Sequence, residues 1–398
     1  MPLSSDETLE YFYDWFVEVA VLLIIARLIE FIVEKLKQPK VFAWVMIGLA
    51  LPLMHYELSM VTVSLGILGI ITYLFYIGLE GSLRGFLRGL RSAGLIAVGG
   101  VIASLTFPLL ILPLLGISVF EAFAVGAALS ATSVTLTVRT LEEFGKVRSK
   151  EGQAVLGAAV VDDVLGLALL STLVGLTELK SEMDVLISVL EIIVLAFAFW
   201  FAVAFTIQKV AHPMYKWFSR LGEEAPALTL TFAMLLLLSF AAVQLRLSAI
   251  LLAYALGLGL SSYRYMASKT ESMIYPLVTL FSPLFFISAG SMLNIASLTS
   301  IGFDRSLFIV LVIISLGFLT KLIGCFVPAV ISGFSEKEAL IIGLGMIPRA
   351  EVMMTTALAA REAGILSAES YLALILLIPI SSLIVPALIS MVYRKGSR

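Results

Sequence analysis

Among 398 residues there is one cysteine and there are two histidines. Cys325 lies inside an apolar run, which excludes a disulfide framework and a cysteine-based metal site. His55 and His212 fall in or near loops. Charge is equally scarce. Asp, Glu, Lys and Arg make up 14% of the chain, against roughly 25% in an ordinary soluble domain, and 60% of residues are hydrophobic. A soluble chain of this length needs a polar shell that this composition cannot supply. The N-terminal stretch MPLSSDETLEYFYDW lacks the basic region of a cleavable signal peptide, so the first apolar run is expected to be retained. No soluble regulatory domain is expected beyond the last apolar run.

What the chain has instead is apolar runs of about 20 residues, recurring from Tyr13 to Tyr393 and long enough to cross a ~30 Å hydrocarbon layer. Continuous runs of that length exclude the short alternating strands of a barrel. The expected fold is an all-α polytopic membrane protein of about 13 transmembrane helices. The spans are read at 12–34, 41–54, 58–79, 92–115, 121–139, 150–176, 185–208, 225–244, 247–261, 272–293, 306–331, 337–360 and 369–393. Lys and Arg gather on alternate loops. Nineteen fall on one side, among them Lys40, Arg84, Arg148, Lys150, Lys337 and Arg394, against four (Lys180, Arg246, Arg305, Arg361) on the other. The positive-inside rule then places the N-terminus outside and the C-terminus in the cytoplasm.

Two stretches resemble each other at an offset of 210, Leu74-Phe75-Tyr76-Ile77-Gly78 and Leu284-Phe285-Phe286-Ile287-Ser288. Gly126 to Thr135 and Gly343 to Val352 align at 217, and each holds a helix-breaking sequence within its run. Seven spans separate equivalent helices, so they run in opposite directions. The pattern is that of inverted repeats, spans 1–6 and 8–13 with the seventh (185–208) as linker, and two crossed broken helices.

Charge near the bilayer centre costs ~2.5–3.5 kcal/mol per residue on insertion scales, so each deep ionisable residue asks for a reason. They are Asp162 and Asp163 in the sixth span, Lys321 in the eleventh, and Arg349 and Glu351 in the twelfth; Arg27, Glu30 and Glu80 lie nearer span ends. At ~1.5 Å per residue, both aspartates lie nearly 20 Å past Lys150, and Lys321 lies about 15 Å before Ile331. These depths let a carboxylate meet the ammonium. Adjacent helical residues point about 100° apart, so one aspartate can pair with Lys321 while the other faces a water-filled cavity. Such a carboxylate holds a proton or a hard cation but not both, which is the physical basis of exchange. The competing reading, an ion pair that only fixes packing, leaves the second aspartate unexplained. Hydroxyls at Ser130, Thr132, Ser133 and Thr135 lie opposite the Pro348-Arg349 break, where half-helix ends need charge compensation. Glu80 reads as a solvated helix-end carboxylate beside Arg84.

Taken together, Gly78-Leu79-Glu80, Ser130-Ala131-Thr132-Ser133, Val161-Asp162-Asp163, Thr320-Lys321 and Pro348-Arg349-Ala350-Glu351-Val352 resemble the sodium/proton antiporters of the monovalent cation:proton antiporter superfamily. The likeness covers essentially the whole chain. Ala350 stands where many relatives have Gly. The resemblance implies a dimerisation part (spans near 12–54, 225–261 and 369–393) and a mobile core (58–176 and 272–360). It implies Asp163 as the ligand of Na⁺ and of the proton, Asp162 paired with Lys321, and Thr132, with Ser133, at the crossover beside the ion. Lys321, Arg349 and Glu351 would compensate charge. The Asp-Asp pair resembles the electrogenic branch.

The function expected is alternating-access exchange of H⁺ for Na⁺ or Li⁺ in a cell membrane. The alternatives are K⁺/H⁺ antiport and Na⁺-coupled symport of an organic anion. An intramembrane aspartyl protease is excluded, because neighbours on one helix cannot face each other across a shared proton. Nothing resembles the ring-forming filter of a channel. No enzyme activity, cofactor or nucleic-acid partner is expected, and the expected partners are the ions, membrane lipid and a second copy of the chain.

Overall fold

A computed structural model of the chain describes residues 5–35, 40–177, 182–218, 224–245, 247–291, 305–349 and 351–395. Among them every regular element is helical. The helices are α1 (Ser5–Lys35), α2 (Lys40–Leu53), α3 (Met60–Glu80), α4 (Leu83–Ile111), α5 (Val119–Ser130), α6 (Val134–Glu143), α7 (Lys150–Thr177) and α8 (Glu182–Phe218). Then follow α9 (Glu224–Gln244), α10 (Ala249–Leu260), α11 (Arg264–Ser291), α12 (Arg305–Ile331), α13 (Glu336–Gly345), α14 (Glu351–Glu362) and α15 (Ala368–Lys395). Among the described residues, seven segments are long and apolar enough to cross a membrane. α5 with α6, and α13 with α14, are the halves of the two interrupted spans. Of the loop charges, Lys37, Lys180, Arg220, Arg246 and Arg398 lie outside the described residues.

Several helices outrun their apolar windows. α4 begins at Leu83 rather than near 92, α8 continues to Phe218 rather than 208, and α11 begins at Arg264 rather than 272. The basic stretch before α4's apolar run is helical because it is amphipathic. Leu83, Phe86 and Ala93 are buried on one stripe, while Arg84, Arg88 and Arg91 are exposed on the other.

Glycines decide which helices pack. In a membrane, apolar side chains gain little by leaving lipid, so helices associate where small residues let backbones touch. A Cβ on Gly48 of α2 would lie 2.1 Å from the Ile287 carbonyl oxygen of α11, and one on Gly290 of α11 would lie 2.5 Å from that of Val45. The same reciprocal approach recurs between α3 and α10, where a Cβ on Gly78 would fall on the Tyr254 oxygen and one on Gly257 on that of Phe75. Gly69 likewise sets α3 against Phe281 of α11. α1, α2, α3, α10 and α11 therefore pack as one group. α4 crosses α12 at Gly99 and Gly324, and with α5, α7, α13 and α14 they form a second group on which α15 packs. α8 touches both, along α7 and α10. The sequence expectation had placed 58–79 and 272–293 with the core and 369–393 apart from it. The packing puts α3 and α11 in the first group through the glycine contacts, whereas α15 packs mainly on α12 and also touches α2 and α11.

The repeat extends into the helix ends. Ser118 caps α5 and Ser335 caps α13, each accepting from the backbone N–H three residues on, Glu121 and Glu338. A spacing of 217 residues separates both pairs, the same as between the two breaks. Gly116 and Gly333 precede these caps with φ of 79° and 89°, a conformation an L side chain rarely adopts. Polar contacts sort the helix ends as the charge alternation does. Lys40, Glu80, Glu143, Arg148, Glu151 and Tyr393 meet at one end of the bundle. Glu18 with Ser59, Glu121 with Ser367, and Ser306 with Glu369 meet at the other.

Candidate functional site

Both interrupted helices break for local reasons. Pro348 lacks an N–H and biases Ile347 away from the helical region, and α13 ends at Gly345. α5 ends at Ser130, whose hydroxyl turns back to the Ala127 carbonyl at 2.7 Å, and Ala131 is extended (φ −71°, ψ 138°). The two extended links cross, and the Ser133 N–H donates to the Pro348 oxygen at 2.8 Å.

Helix C-terminal ends carry partial negative charge and unsatisfied carbonyls. Here they are gathered onto Arg349, 1% exposed. Its Nη1 donates to the oxygens of Ala131 (2.9 Å) and Met346 (3.3 Å), one from each break, and to Thr132 Oγ1 (3.2 Å). Its Nη2 donates to the Gly317 oxygen on α12 at 3.2 Å. Thr132 Oγ1 donates in turn to the Met346 oxygen at 3.1 Å, and Thr137 Oγ1 to that of Gly345 at 2.7 Å. A planar guanidinium with five donors suits this work better than an ammonium. Ser133 is buried in the crossing, its hydroxyl 3.2 Å from Thr135 Oγ1. Glu351 is the first residue of α14, where a carboxylate would meet positive helix-end charge, but its side chain lies outside the described ones.

α7 passes beside this crossing. Gly166 lets it approach both breaks, for a Cβ there would lie 3.5 Å from Ala131 and 3.6 Å from Val352. One turn earlier are the aspartates. Lys321 Nζ donates to Asp162 Oδ1 at 2.6 Å, and neither side chain has any exposed surface. Asp162 Oδ2 has no hydrogen-bond partner among the described residues. The Lys321 ammonium lies over Gly100 of α4, where a Cβ would come within 3.3 Å. Asp163 points elsewhere. It is half-buried and lines a cleft walled by Val160 and Val164 of α7, Phe199 and Trp200 of α8, and Leu251 of α10. One aspartate is thus tied to a dry ammonium, and its neighbour opens into a space between the two helix groups.

Sequence reasoning missed a second polar cluster. Arg139, at the end of the span read at 121–139, belongs to α6 and pairs with Glu142 at 2.5 Å, its guanidinium 5.1 Å from the Trp44 ring centroid. Tyr73 donates to the same Glu142 at 3.1 Å, and buried Glu30 accepts from Trp44 Nε1 at 2.7 Å. The Arg-x-x-Glu spacing at 139 and 142 was the available signal. Glu80 also differs from expectation. It accepts from Tyr76 at 3.1 Å and lies 3.9 Å from Arg148 rather than pairing with Arg84, because α4's basic stripe turns outward.

The family profile described as "Sodium/hydrogen exchanger, transmembrane" matches residues 20–395. The chain belongs to this family. Among relatives of the exchanger, the Na⁺/H⁺-K⁺ antiporter GerN of Bacillus cereus is 26% identical over 97% of each chain. The high-affinity Na⁺/H⁺ antiporter NhaS3 of Synechocystis sp. is 29% identical over 83% of this chain and 71% of its own. The fold is similar to that of the sodium proton antiporter MjNhaP1 of Methanocaldococcus jannaschii, with a TM-score of 0.71 at 18% identity, covering 98% of this chain and 96% of that one.

Proposed function

We propose that this exchanger moves Na⁺ and H⁺ in opposite directions by letting them compete for Asp163. The observation that carries the reading is the contrast within one helical turn, a carboxylate opening into the cleft beside one held dry against Lys321. A carboxylate facing such a cleft can take up either a proton or a hard cation, but not both at once. Because the cleft lies where the two helix groups meet, sliding one group past the other would carry the occupant from one side to the other. In this reading α4–α7 and α12–α15 are the moving body, and α1–α3 with α9–α11 are the static one that pairs with a second copy of the chain. The names of GerN and NhaS3 support Na⁺ as the cation, and the GerN name keeps K⁺ in view. The charge alternation supports an outside N-terminus and a cytoplasmic C-terminus in a cell membrane.

The test is a pH-sensitive dye trapped in proteoliposomes carrying an imposed pH gradient. Added Na⁺ or Li⁺ is expected to collapse the gradient through the wild-type protein and to leave it standing through Asp163→Asn. K⁺ in place of Na⁺ reads the cation choice. Na⁺-driven proton movement retained by Asp163→Asn would refute the assignment.

A further inference from the structure

The Asp163 cleft lies between α7, α8 and α10. It runs toward the α9–α10 turn, where Leu247 and Ser248 border it. Toward the Lys150 end of α7 it meets three rings. Trp200 of α8 is a wall of the cleft and stacks on Phe86 of α4, ring centroids 4.8 Å apart. Tyr254 of α10 completes the cluster, 6.2 Å from Phe86 and 6.5 Å from Trp200. The three are 2%, 5% and 0% exposed, so water does not pass between them. Phe86 stands beside Gly157, where a Cβ would be 3.8 Å from its ring. At ~1.5 Å per residue, Gly157 lies about 9 Å from Asp163 toward Lys150.

The rings belong to different bodies. Trp200 is tied to α10, since its indole N–H donates to the Leu251 oxygen at 3.1 Å. Tyr254 is held where the α10 backbone touches Gly78 of α3. Phe86 alone stands on α4, in the group that carries Asp163. The Phe86–Trp200 stack is therefore a contact across the boundary on which the two groups would slide. Polar contacts brace the same end across the same boundary. The Lys40 N–H donates to both oxygens of Glu143 (2.8 and 2.9 Å), Tyr73 to Glu142 (3.1 Å), and Arg148 lies 3.9 Å from Glu80. The Tyr254 hydroxyl is buried without a hydrogen-bond partner among the described residues. Phenylalanine would fill a permanently dry place equally well, whereas a tyrosine gains partners once water arrives.

We propose that Phe86, Trp200 and Tyr254 are the gate closing the Lys150 side of the ion path, and that it opens when Phe86 leaves Trp200 as α4 moves past α8 and α10. This rests on the antiport reading above. With the gate removed, Asp163 is reached from both sides at once, and exchange turns into leak.

The experiment is a volume series at one position, Phe86→Leu, Phe86→Val and Phe86→Ala, in proteoliposomes holding a pH gradient without Na⁺. Leak is expected to rise along the series, reaching about tenfold or more at Ala, the scale on which losing a stacked aromatic pair and its burial acts. Phe86→Leu keeps most of the volume and folds, so the series stays readable if the Ala variant is lost. Trp200→Phe keeps a ring on Phe86 and is expected to leak less than Phe86→Val. A series of folded variants as tight as wild type would overturn the gate. Wild-type protein that exchanges no Na⁺ for H⁺ in the same vesicles would instead overturn the antiport reading, so the two failures are told apart.

Discussion

Lys321 and Asp162 pair across α12 and α7 with no solvent on either side. Desolvating two charges is expensive, and the attraction between them offsets that cost only while both are present. Changing Lys321→Met should therefore cost ~3–5 kcal/mol, because it strands a buried carboxylate. The double variant, Asp162→Asn with Lys321→Met, is expected to melt at a higher temperature than the single one. Additive losses in that cycle would show that the pair is not coupled. At this scale much was legible in the sequence, since depth along the helices singled out both aspartates and the lysine without a structure. Which aspartate faces Lys321 was not legible from depth, because a rotation of α7 would exchange them. That rotation is set by Gly157 and Gly166, which lodge α7 against Ala93 of α4 and against the crossing.

At the scale of elements, the crossing depends on one side chain that collects carbonyls from α5, α13 and α12. Lysine keeps the charge at Arg349 but not the fork. Arg349→Lys should leave at least one buried carbonyl unpartnered, at about 1–3 kcal/mol for each. Lower thermal stability together with slower exchange is the expected result, and an unchanged melting temperature would contradict it. The two breaks were legible as Pro348 and a hydroxyl cluster, but the destination of the hydroxyls was not. Ser130 bonds its own helix, whereas Thr132 and Thr137 reach the other. Nothing in Ser-Ala-Thr-Ser tells Ser130 from Thr132, and Thr137 lies outside the cluster read from the sequence. The reciprocal glycines of α3 and α10 invite a second test. Gly78→Val places side-chain atoms on the Tyr254 oxygen and should destabilise by at least ~1–3 kcal/mol. Gly89→Ala meets nothing within 4 Å and, as a helix-interior change, should stabilise by about 0.5–1 kcal/mol. Equal melting shifts for the two would remove close backbone approach as the reason for the grouping.

At the scale of the whole molecule, the order of helices was legible because each apolar run becomes a helix. The grouping was not, because a glycine that touches another backbone looks in sequence like any other glycine. The paired caps at Ser118 and Ser335 were visible in principle, but comparison of apolar stretches passed over them. The paired repeats and the Asp162–Lys321 link bear on the charge moved per cycle. If cation binding at Asp163 releases a proton from the Asp162–Lys321 pair as well as from Asp163, two protons move per Na⁺ and the cycle carries current. With this exchanger in vesicles under an imposed membrane potential, the Na⁺ level that balances a fixed pH gradient is expected to shift with voltage. A balance point indifferent to voltage would mean that the pair stays intact and one proton moves.

The proposed competition at Asp163 is best measured without transport at all. Purified protein in weakly buffered detergent solution, titrated with NaCl against a choline chloride control, should release protons as Na⁺ binds, with apparent Na⁺ affinity falling as pH is lowered. Asp163→Asn should release none. Proton release from Asp163→Asn equal to wild type, or Na⁺ binding to the wild-type protein that is indifferent to pH, would contradict the account.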